Sequence, residues 1–86
     1  MKINELIKII EKKILSQDCI SKVKIEDKSF LHKNHKSNEK GKFHIVLSIE
    51  SNELKKKNKI YSTRFIYKIL DNELKNYIHS LQIKLI

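Results

Sequence analysis

Proline, tryptophan and alanine are absent from this chain, and glycine, cysteine and arginine each occur once. The single cysteine, Cys19, excludes an internal disulfide and any Cys-x-x-Cys motif, which indicates a reducing compartment. A lone cysteine at the start of a strand is more often a small buried apolar residue than a reactive thiol. Because Gly41 is the only glycine, the chain has neither a glycine-rich phosphate loop nor a Gly-x-Ser-x-Gly motif, and we expect no enzyme activity.

Arginine is nearly missing although the chain is strongly basic. The formal net charge is +9, and every one of the 19 basic residues except Arg64 is a lysine. Lysine, isoleucine and asparagine together supply nearly half of the chain, which is the composition that an AT-rich coding sequence produces. Arginine is the residue that reads bases through bidentate hydrogen bonds. The net charge alone is therefore a weak indication of nucleic-acid binding.

Long apolar runs are also lacking. No run approaches the roughly 20 residues that cross a bilayer, and the apolar residues at the N-terminus are interrupted by charge, unlike those of a signal peptide. We therefore expect no membrane association and a cytoplasmic location, with an organelle as the alternative if a presequence has been removed. A chain of 86 residues that is 40% hydrophobic is expected to fold as one domain over residues 1–86.

The spacing of apolar residues predicts the order helix, strand, strand, helix, strand. Steps of three and four residues indicate helices, and alternation indicates strands. The predicted helices cover about 3–14 and 60–76, and the predicted strands cover 20–26, 43–49 and 77–85. This order favours an α+β fold in which the helices pack on one face of a three-stranded sheet.

Two polar segments separate these elements. Residues 27–42 are aperiodic and form a predicted loop of unusual length, which is typical of a functional or mobile segment. Residues 51–58 are rich in lysine, with a short helical turn expected around Leu54. Within the loop, Asp27 and Ser29 are expected to shape the backbone through short side-chain hydrogen bonds.

Alternation also assigns faces to the strands. In the second strand one face is shared by Phe43, Ile45, Leu47 and Ile49, while His44 lies on the other face and is expected to be exposed. In the last strand His79 shares its parity with Leu81, Ile83 and Leu85, so it is predicted at the edge of the apolar face.

Histidine is the only strong metal ligand that recurs in the chain. His32 and His35 lie in the long loop, and His79 lies far downstream. Two such clusters do not close a metal site unaided, so the pattern predicts a site that another molecule completes. A zinc site made by these three histidines, to which tetrahedral zinc would need a fourth ligand, is one alternative. The other is that all three are inert.

Four segments resemble the BolA-like family and occur in the family's order. Asp27, Ser29 and His32 match Asp-x-Ser-x-x-His, and Phe43-His44-Ile45-Val46 matches the start of the second strand. Arg64-Phe65-Ile66-Tyr67 matches Arg-x-x-Val-Tyr with one residue fewer after the arginine, and Ile78-His79-Ser80-Leu81 matches Val-His-Ala-Leu. The resemblance implies an α-β-β-α-α-β fold with a mixed sheet, similar to class II K-homology domains.

The resemblance also implies a partner and a cofactor. Proteins of this family associate with monothiol glutaredoxins and share a [2Fe–2S] cluster with them, for iron–sulfur cluster trafficking or iron sensing. The glutaredoxin and glutathione would each bring a thiolate. This chain would bring His79 and one histidine of the loop, either His32 or His35. We expect it to be a monomer alone and a heterodimer with its partner. Iron–sulfur clusters accept histidine in place of cysteine, and ligation requires the neutral imidazole.

A DNA-binding regulator is the alternative function, because the helical region of some family members resembles a helix-turn-helix. The cations that would then face phosphates are Lys55, Lys56, Lys57, Lys59, Arg64 and Lys68. Such binding weakens steeply with salt. RNA binding of the K-homology kind needs a Gly-x-x-Gly loop, which a chain with one glycine does not have.

Overall fold

The structure is a computed structural model that describes residues 2–28 and 42–86. These residues form α1 Ile3–Leu15, β1 Lys22–Asp27, β2 Phe43–Glu50, α2 Asn52–Lys56, α3 Lys59–Ile69, α4 Asp71–Asn76 and β3 Ile78–Leu85. The strands form one mixed sheet in the order β1-β2-β3, in which β1 runs antiparallel and β3 parallel to the central β2. The predicted α+β fold is confirmed. In this described part of the chain, no helix is long and apolar enough to cross a membrane.

One apolar core lies between the helices and one face of the sheet. Helix α1 contributes the side chains one turn apart, and β2 contributes alternate residues, as the spacing predicts. The fully or almost fully buried members are Leu6, Ile10, Ile14, Ile45, Leu47, Ile49, Leu54, Ile66 and Leu70. Burial of leucine and isoleucine side chains contributes about 1.5–3 kcal/mol each, which makes this cluster the main source of stability.

Strand β1 lies close to its predicted position, with one difference at its end. Val23 and Ile25 pack against the core, as their alternation predicts. Asp27, which we expected in the loop, is instead the last residue of the strand and pairs with Ile45 of β2. The backbone amide of Lys28 extends this pairing by donating to the carbonyl of His44 at 2.8 Å. Ser29 lies outside the described residues.

The single helix predicted over 60–76 is wrong, because two helices occupy this segment. The break falls at Leu70, whose backbone leaves the helical region at φ −101° and ψ 21°. The apolar residues on both sides of the break keep a spacing of three and four, so their periodicity did not reveal it. Between β2 and β3 the chain therefore has three helices, one more than the resemblance implies, and the short α2 includes the predicted turn around Leu54.

Ser51 connects the end of β2 to the turn before β1. Its hydroxyl oxygen accepts a hydrogen bond from the amide of Leu54 at 3.2 Å, which caps α2. The same hydroxyl donates to the carbonyl of Cys19 at 2.7 Å. Cys19 itself is half-buried and packs against the core, in agreement with the apolar role predicted for it.

A partly buried ion pair joins α1 to α4. The ammonium of Lys13 lies 2.8 Å from both carboxylate oxygens of Glu73, whose side chain is 3% exposed. Burial raises the pKa of Glu73, but hydrogen bonds from Lys13 and Asn72 and the charge of Lys13 outweigh it. The pKa of Glu73 therefore lies below its ordinary value of 4.5.

We expect this ion pair to make the fold sensitive to acid. Because the pKa of Glu73 is lowered on folding, its stabilising contribution is fully present above pH 4.5 and is lost as the pH falls through the folded-state pKa. Urea unfolding between pH 3 and 7 should show a fall in the free energy of unfolding below pH 4.5, and Glu73→Gln should flatten that fall. Glu26→Gln is the control, since the lowered pKa of this more exposed carboxyl is screened by solvent. An equal flattening by both variants would contradict the assignment.

Candidate metal-ligand site

His79 lies at an irregularity in the pairing of β2 with β3. Phe43 is paired with Ile78, but the next residue of β2, His44, is paired with Ser80. His79 is thus an extra residue on β3, as in a β-bulge. A bulge of this kind reverses the alternation of side chains along the strand that contains it.

The face predicted for His79 is therefore wrong. After the irregularity, Leu81, Ile83 and Leu85 pack against the core. Before it, the residue that faces the core is Ile78, which is buried, and not His79. The His79 side chain is exposed and lies beside His44, on the face of the sheet opposite the core. The signal for this irregularity was present in the sequence, since Ile78 and Leu81 are three residues apart and would lie on opposite faces of a regular strand.

His44, which we expected to be an exposed strand residue, is buried. It does lie on the face predicted for it, but the residue is only 5% exposed. Its Nδ1 atom is hydrogen-bonded to the hydroxyl oxygen of Ser80 at 2.7 Å. Its ring centroid lies 4.9 Å from that of His79, with the two planes inclined by 63°. Two imidazoles thus lie side by side, one accessible and one held by a hydrogen bond.

The surroundings of this pair are cationic. A shallow groove of about 210 Å³ lies along this face and is lined by Lys28, His44, Ile45, Val46, Ser80, Gln82 and Lys84. The nearby carboxylate of Glu26 is already paired with Lys28 at 2.9 Å. That hydrogen bond, with the charge of Lys28, lowers the pKa of Glu26 against a smaller effect of burial. Such an environment favours an anionic group over a simple cation.

Only part of the predicted ligand set lies in the described chain. His32 and His35 fall outside it, so their role as loop ligands and the three-histidine zinc site remain predictions. Within residues 2–28 and 42–86, no three histidine, cysteine, aspartate or glutamate side chains are grouped closely enough to hold a metal ion.

Cys19 is remote from the histidine pair. Its carbonyl is bonded to Ser51, which follows the last residue of β2, whereas His44 is the second residue of that strand. At about 3.3 Å per strand residue, Ser51 and His44 are roughly 23 Å apart. The thiol of Cys19 and the imidazole of His79 therefore do not ligate one metal group within a single chain.

The cations of the alternative DNA-binding surface are on α2, on α3 and between them. All six of the predicted residues are exposed. Arg64 and Lys68 line a groove of about 500 Å³ together with Asn58, Ile60, Tyr61 and Phe65. The surface is only partly polar, since the Ile60 side chain is 65% exposed and that of Tyr61 is 49% exposed.

Comparison with solved structures finds the same architecture in BolA domains. The BolA domain of SufE1 from Arabidopsis thaliana is 26% identical, with a TM-score of 0.76, and the alignment covers 99% of this chain and 92% of that one. BolA1 from Arabidopsis thaliana is 23% identical, with a TM-score of 0.72 over 91% and 86% of the two chains. A bol-like protein from Babesia bovis is 18% identical, with a TM-score of 0.68 over 92% and 80%.

Comparison at the level of sequence gives the family. A search of curated proteins finds no significant match. The sequence model of the BolA-like family matches residues 15–86, which include every described strand, the last three helices and both histidines of the pair. The family resemblance inferred from the four sequence motifs is confirmed. This chain belongs to the BolA-like family.

Proposed function

We propose that this protein is a non-enzymatic adaptor that binds a monothiol glutaredoxin and contributes imidazole to a shared [2Fe–2S] cluster, for iron–sulfur cluster trafficking or iron sensing. The observation that carries the proposal is the placement of His79, which is exposed at the irregularity of β3 in a cationic setting. An exposed imidazole is a ligand that one iron of such a cluster accepts in place of thiolate, as in Rieske centres.

The described residues provide too few metal ligands for a cluster, so a partner is required. A cluster of this type takes four ligands, and Cys19 lies at the other end of β2 from the histidine pair. With His79 and one loop histidine, His32 or His35, as the ligands from this chain, the remaining two ligands would be thiolates from a glutaredoxin and its glutathione. The anionic cluster and its thiolates would be stabilised by the ammonium groups along the same groove. The role of His79 is to present its neutral ring to the cluster at the interface.

Adding the protein to preassembled, cluster-loaded glutaredoxin homodimer tests this proposal. We expect the visible circular dichroism spectrum to change until one equivalent has been added, because imidazole replaces thiolate on one iron. Depletion of glutathione should abolish the change, whereas an increase in salt from about 50 to 200 mM should alter it little. A spectrum that keeps its homodimer form throughout the titration would contradict the proposal.

DNA binding is the second candidate function, and the exposure of all six cations on α2 and α3 favours it. These side chains are exposed to solvent and therefore accessible to phosphates, and one of them, Lys57, also has its ammonium 5.5 Å from the centroid of the Tyr61 ring. The exposed apolar side chains within the same surface are less typical of a phosphate-binding face. The protein–DNA affinity would fall by orders of magnitude over the salt range in which the cluster complex is stable.

A triple variant separates the two functions. Lys55→Ala/Lys56→Ala/Lys57→Ala should leave the spectrum of the cluster complex unchanged, because none of these residues lines the groove beside His44. If the same surface binds DNA, the loss of three phosphate contacts should reduce the slope of log affinity against log salt by about 2.7. Loss of the complex's spectrum in the triple variant would show instead that this surface belongs to the glutaredoxin interface.

A further inference from the structure

The outer face of α3 combines exposed apolar side chains with cations. This face consists of Ile60, Tyr61, Arg64, Tyr67 and Lys68. Three of the five large apolar residues that are exposed in the described part of the chain belong to it. Helix α3 buries Ser62 and Ile66 on the side that faces the core, so its outer face is directed away from the sheet. We propose that the outer face of α3 docks a partner protein through an amphipathic helix whose apolar stripe is flanked by acidic side chains.

The relief of this face is that of a surface on which another helix packs. Ile60, Arg64 and Lys68 follow one another at steps of four residues and form a ridge along α3. A groove of about 500 Å³ lies beside this ridge against Tyr61. A second groove, of about 440 Å³, lies on the other side of the ridge against Tyr67. Helices associate by inserting the ridges of one into the grooves of the other, and the outer face of α3 offers both elements.

Contacts within the chain hold the walls of the two grooves in place. The rings of Tyr61 and Phe65 are stacked, with their centroids 6.4 Å apart. The ammonium of Lys57 lies 5.5 Å from the centroid of the Tyr61 ring. Across the ridge, the hydroxyl of Tyr67 donates to the carbonyl of Leu81 at 3.4 Å. Side chains that are ordered before binding lose less conformational entropy when a partner binds, so these contacts favour association.

The charges of this face select an acidic partner. Lys59, Arg64 and Lys68 line the two grooves. The sequence has no aspartate or glutamate between residues 55 and 70, so no carboxylate of α3 neutralises them. In a twofold dimer, a second copy of this chain would bring the same cations against each other, and such like-charge contacts oppose association. The partner helix is therefore one that carries carboxylates beside its apolar stripe.

A protein fits this face better than a nucleic acid does. Phosphate-binding faces are polar, whereas the ridge includes Ile60, which is 65% exposed. Bases stack on accessible aromatic rings, but the Tyr61 ring is already stacked with Phe65 and lies under the ammonium of Lys57. Tyrosine and arginine are the residue types that are enriched where protein interfaces have most of their binding energy, and Arg64 is the only arginine of the chain.

The outer face of α3 and His79 lie on opposite sides of the molecule. Helix α3 packs on the core face of the sheet through Ile66, whereas His79 lies on the face opposite the core. A protein bound at α3 would therefore leave the imidazole of His79 accessible. The inference goes beyond the proposed function, and it is tested on the protein alone, without a cluster or a glutaredoxin.

Titration with a designed peptide tests the inference. The probe is a helical peptide of about 18 residues, five turns long, with leucines along one face and glutamates on both sides of them. Proton–nitrogen correlation spectra of the protein should show shifts of the α3 amide signals, with no shifts in β1. A control peptide with lysine in place of every glutamate should bind at least about tenfold more weakly, because each attractive charge pair becomes repulsive.

Two matched variants make the test specific. Ile60→Ser removes the most exposed apolar side chain of the ridge and should weaken binding of the acidic peptide by about tenfold. Leu15→Ser changes an exposed apolar residue of α1 and should leave the affinity unchanged. Both residues are exposed, so both variants should fold, which far-ultraviolet circular dichroism checks. Equal affinities for the two peptides, equal affinities of the two variants, or shifts centred outside α3 would overturn the inference.

Two further results would assign the face to a different occupant. If a DNA duplex shifts the α3 signals and the acidic peptide does not, the face binds nucleic acid. If these signals shift with protein concentration alone, and sedimentation shows a dimer that Ile60→Ser dissociates, a second copy of this chain occupies the face. Either result would overturn the docking of an acidic helix.

Discussion

The His79→Ala variant is expected to fold normally and to lose the visible absorption that distinguishes the heterodimeric cluster complex. His79 is exposed, and it is the extra residue of β3 rather than a member of the core. Substitutions at such positions usually change the free energy of unfolding by less than about 0.5 kcal/mol. The cluster would lose an imidazole ligand that this chain presents at an accessible position.

The measurement is the ultraviolet–visible and circular dichroism spectrum of the complex after anaerobic reconstitution with a monothiol glutaredoxin and glutathione. The variant should return the spectrum of the glutaredoxin homodimer, in which all ligands are thiolates. Asn52→Ala, an exposed position that follows Ser51 at the other end of β2, is the control and should keep the heterodimer spectrum. If the spectrum of His79→Ala equals that of the unsubstituted complex, the assignment of His79 as a ligand is wrong.

The second large effect is expected at the ion pair that joins α1 to α4. Lys13→Met leaves the carboxylate of Glu73 buried without the ammonium that lies 2.8 Å from both of its oxygens. An unpaired buried carboxylate is strongly destabilising, and because the Lys13 side chain is 40% exposed we expect a cost of about 2 kcal/mol rather than the full penalty of a deeply buried pair. A loss of that size lowers the melting temperature of a domain of this length by roughly 8–16 °C.

Two comparisons make the Lys13 prediction specific. Lys12→Met removes an exposed lysine from the preceding position of the same helix and should change the melting temperature little. The double variant Lys13→Met/Glu73→Leu, which removes both charges, should recover most of the lost stability because apolar pairs often replace buried ion pairs without cost. Equal melting temperatures for Lys12→Met and Lys13→Met would show that the pair contributes nothing to the fold.

The elements that were predictable from the sequence are those with uninterrupted periodicity. The spacing in α1 and the alternation in β2 each bury one face, so the pattern of apolar residues determines both the element and its orientation. The break at Leu70 was not predictable in this way, because the apolar spacing continues through it and neither glycine nor proline marks it. The second of the two shorter helices, α4, contains Glu73, which is buried against Lys13. This contact joins residues 60 positions apart, so local periodicity does not reveal it.

The sequence indicated His79 as a candidate ligand but placed it on the wrong face of the sheet, and it gave the wrong burial for His44. His79 was indicated both by its chemistry and by the family motif; the structure shows that it is exposed, and its role as a ligand stays a prediction. His44 was misassigned as an exposed residue because a strand with one polar face gives no sign of which neighbours cover it. Its environment depends on the register of β3, which the spacing of Ile78 and Leu81 could have revealed as a break in alternation.

The measurement that tests the central claim most directly is anaerobic reconstitution of this protein with a monothiol glutaredoxin, glutathione, iron and sulfide, followed by size exclusion with mass and absorbance detection. The adaptor function predicts a red complex of one copy of each protein, with a spectrum different from that of the glutaredoxin homodimer. Elution of this protein as a colourless monomer, with the cluster retained entirely by the glutaredoxin homodimer, would contradict it.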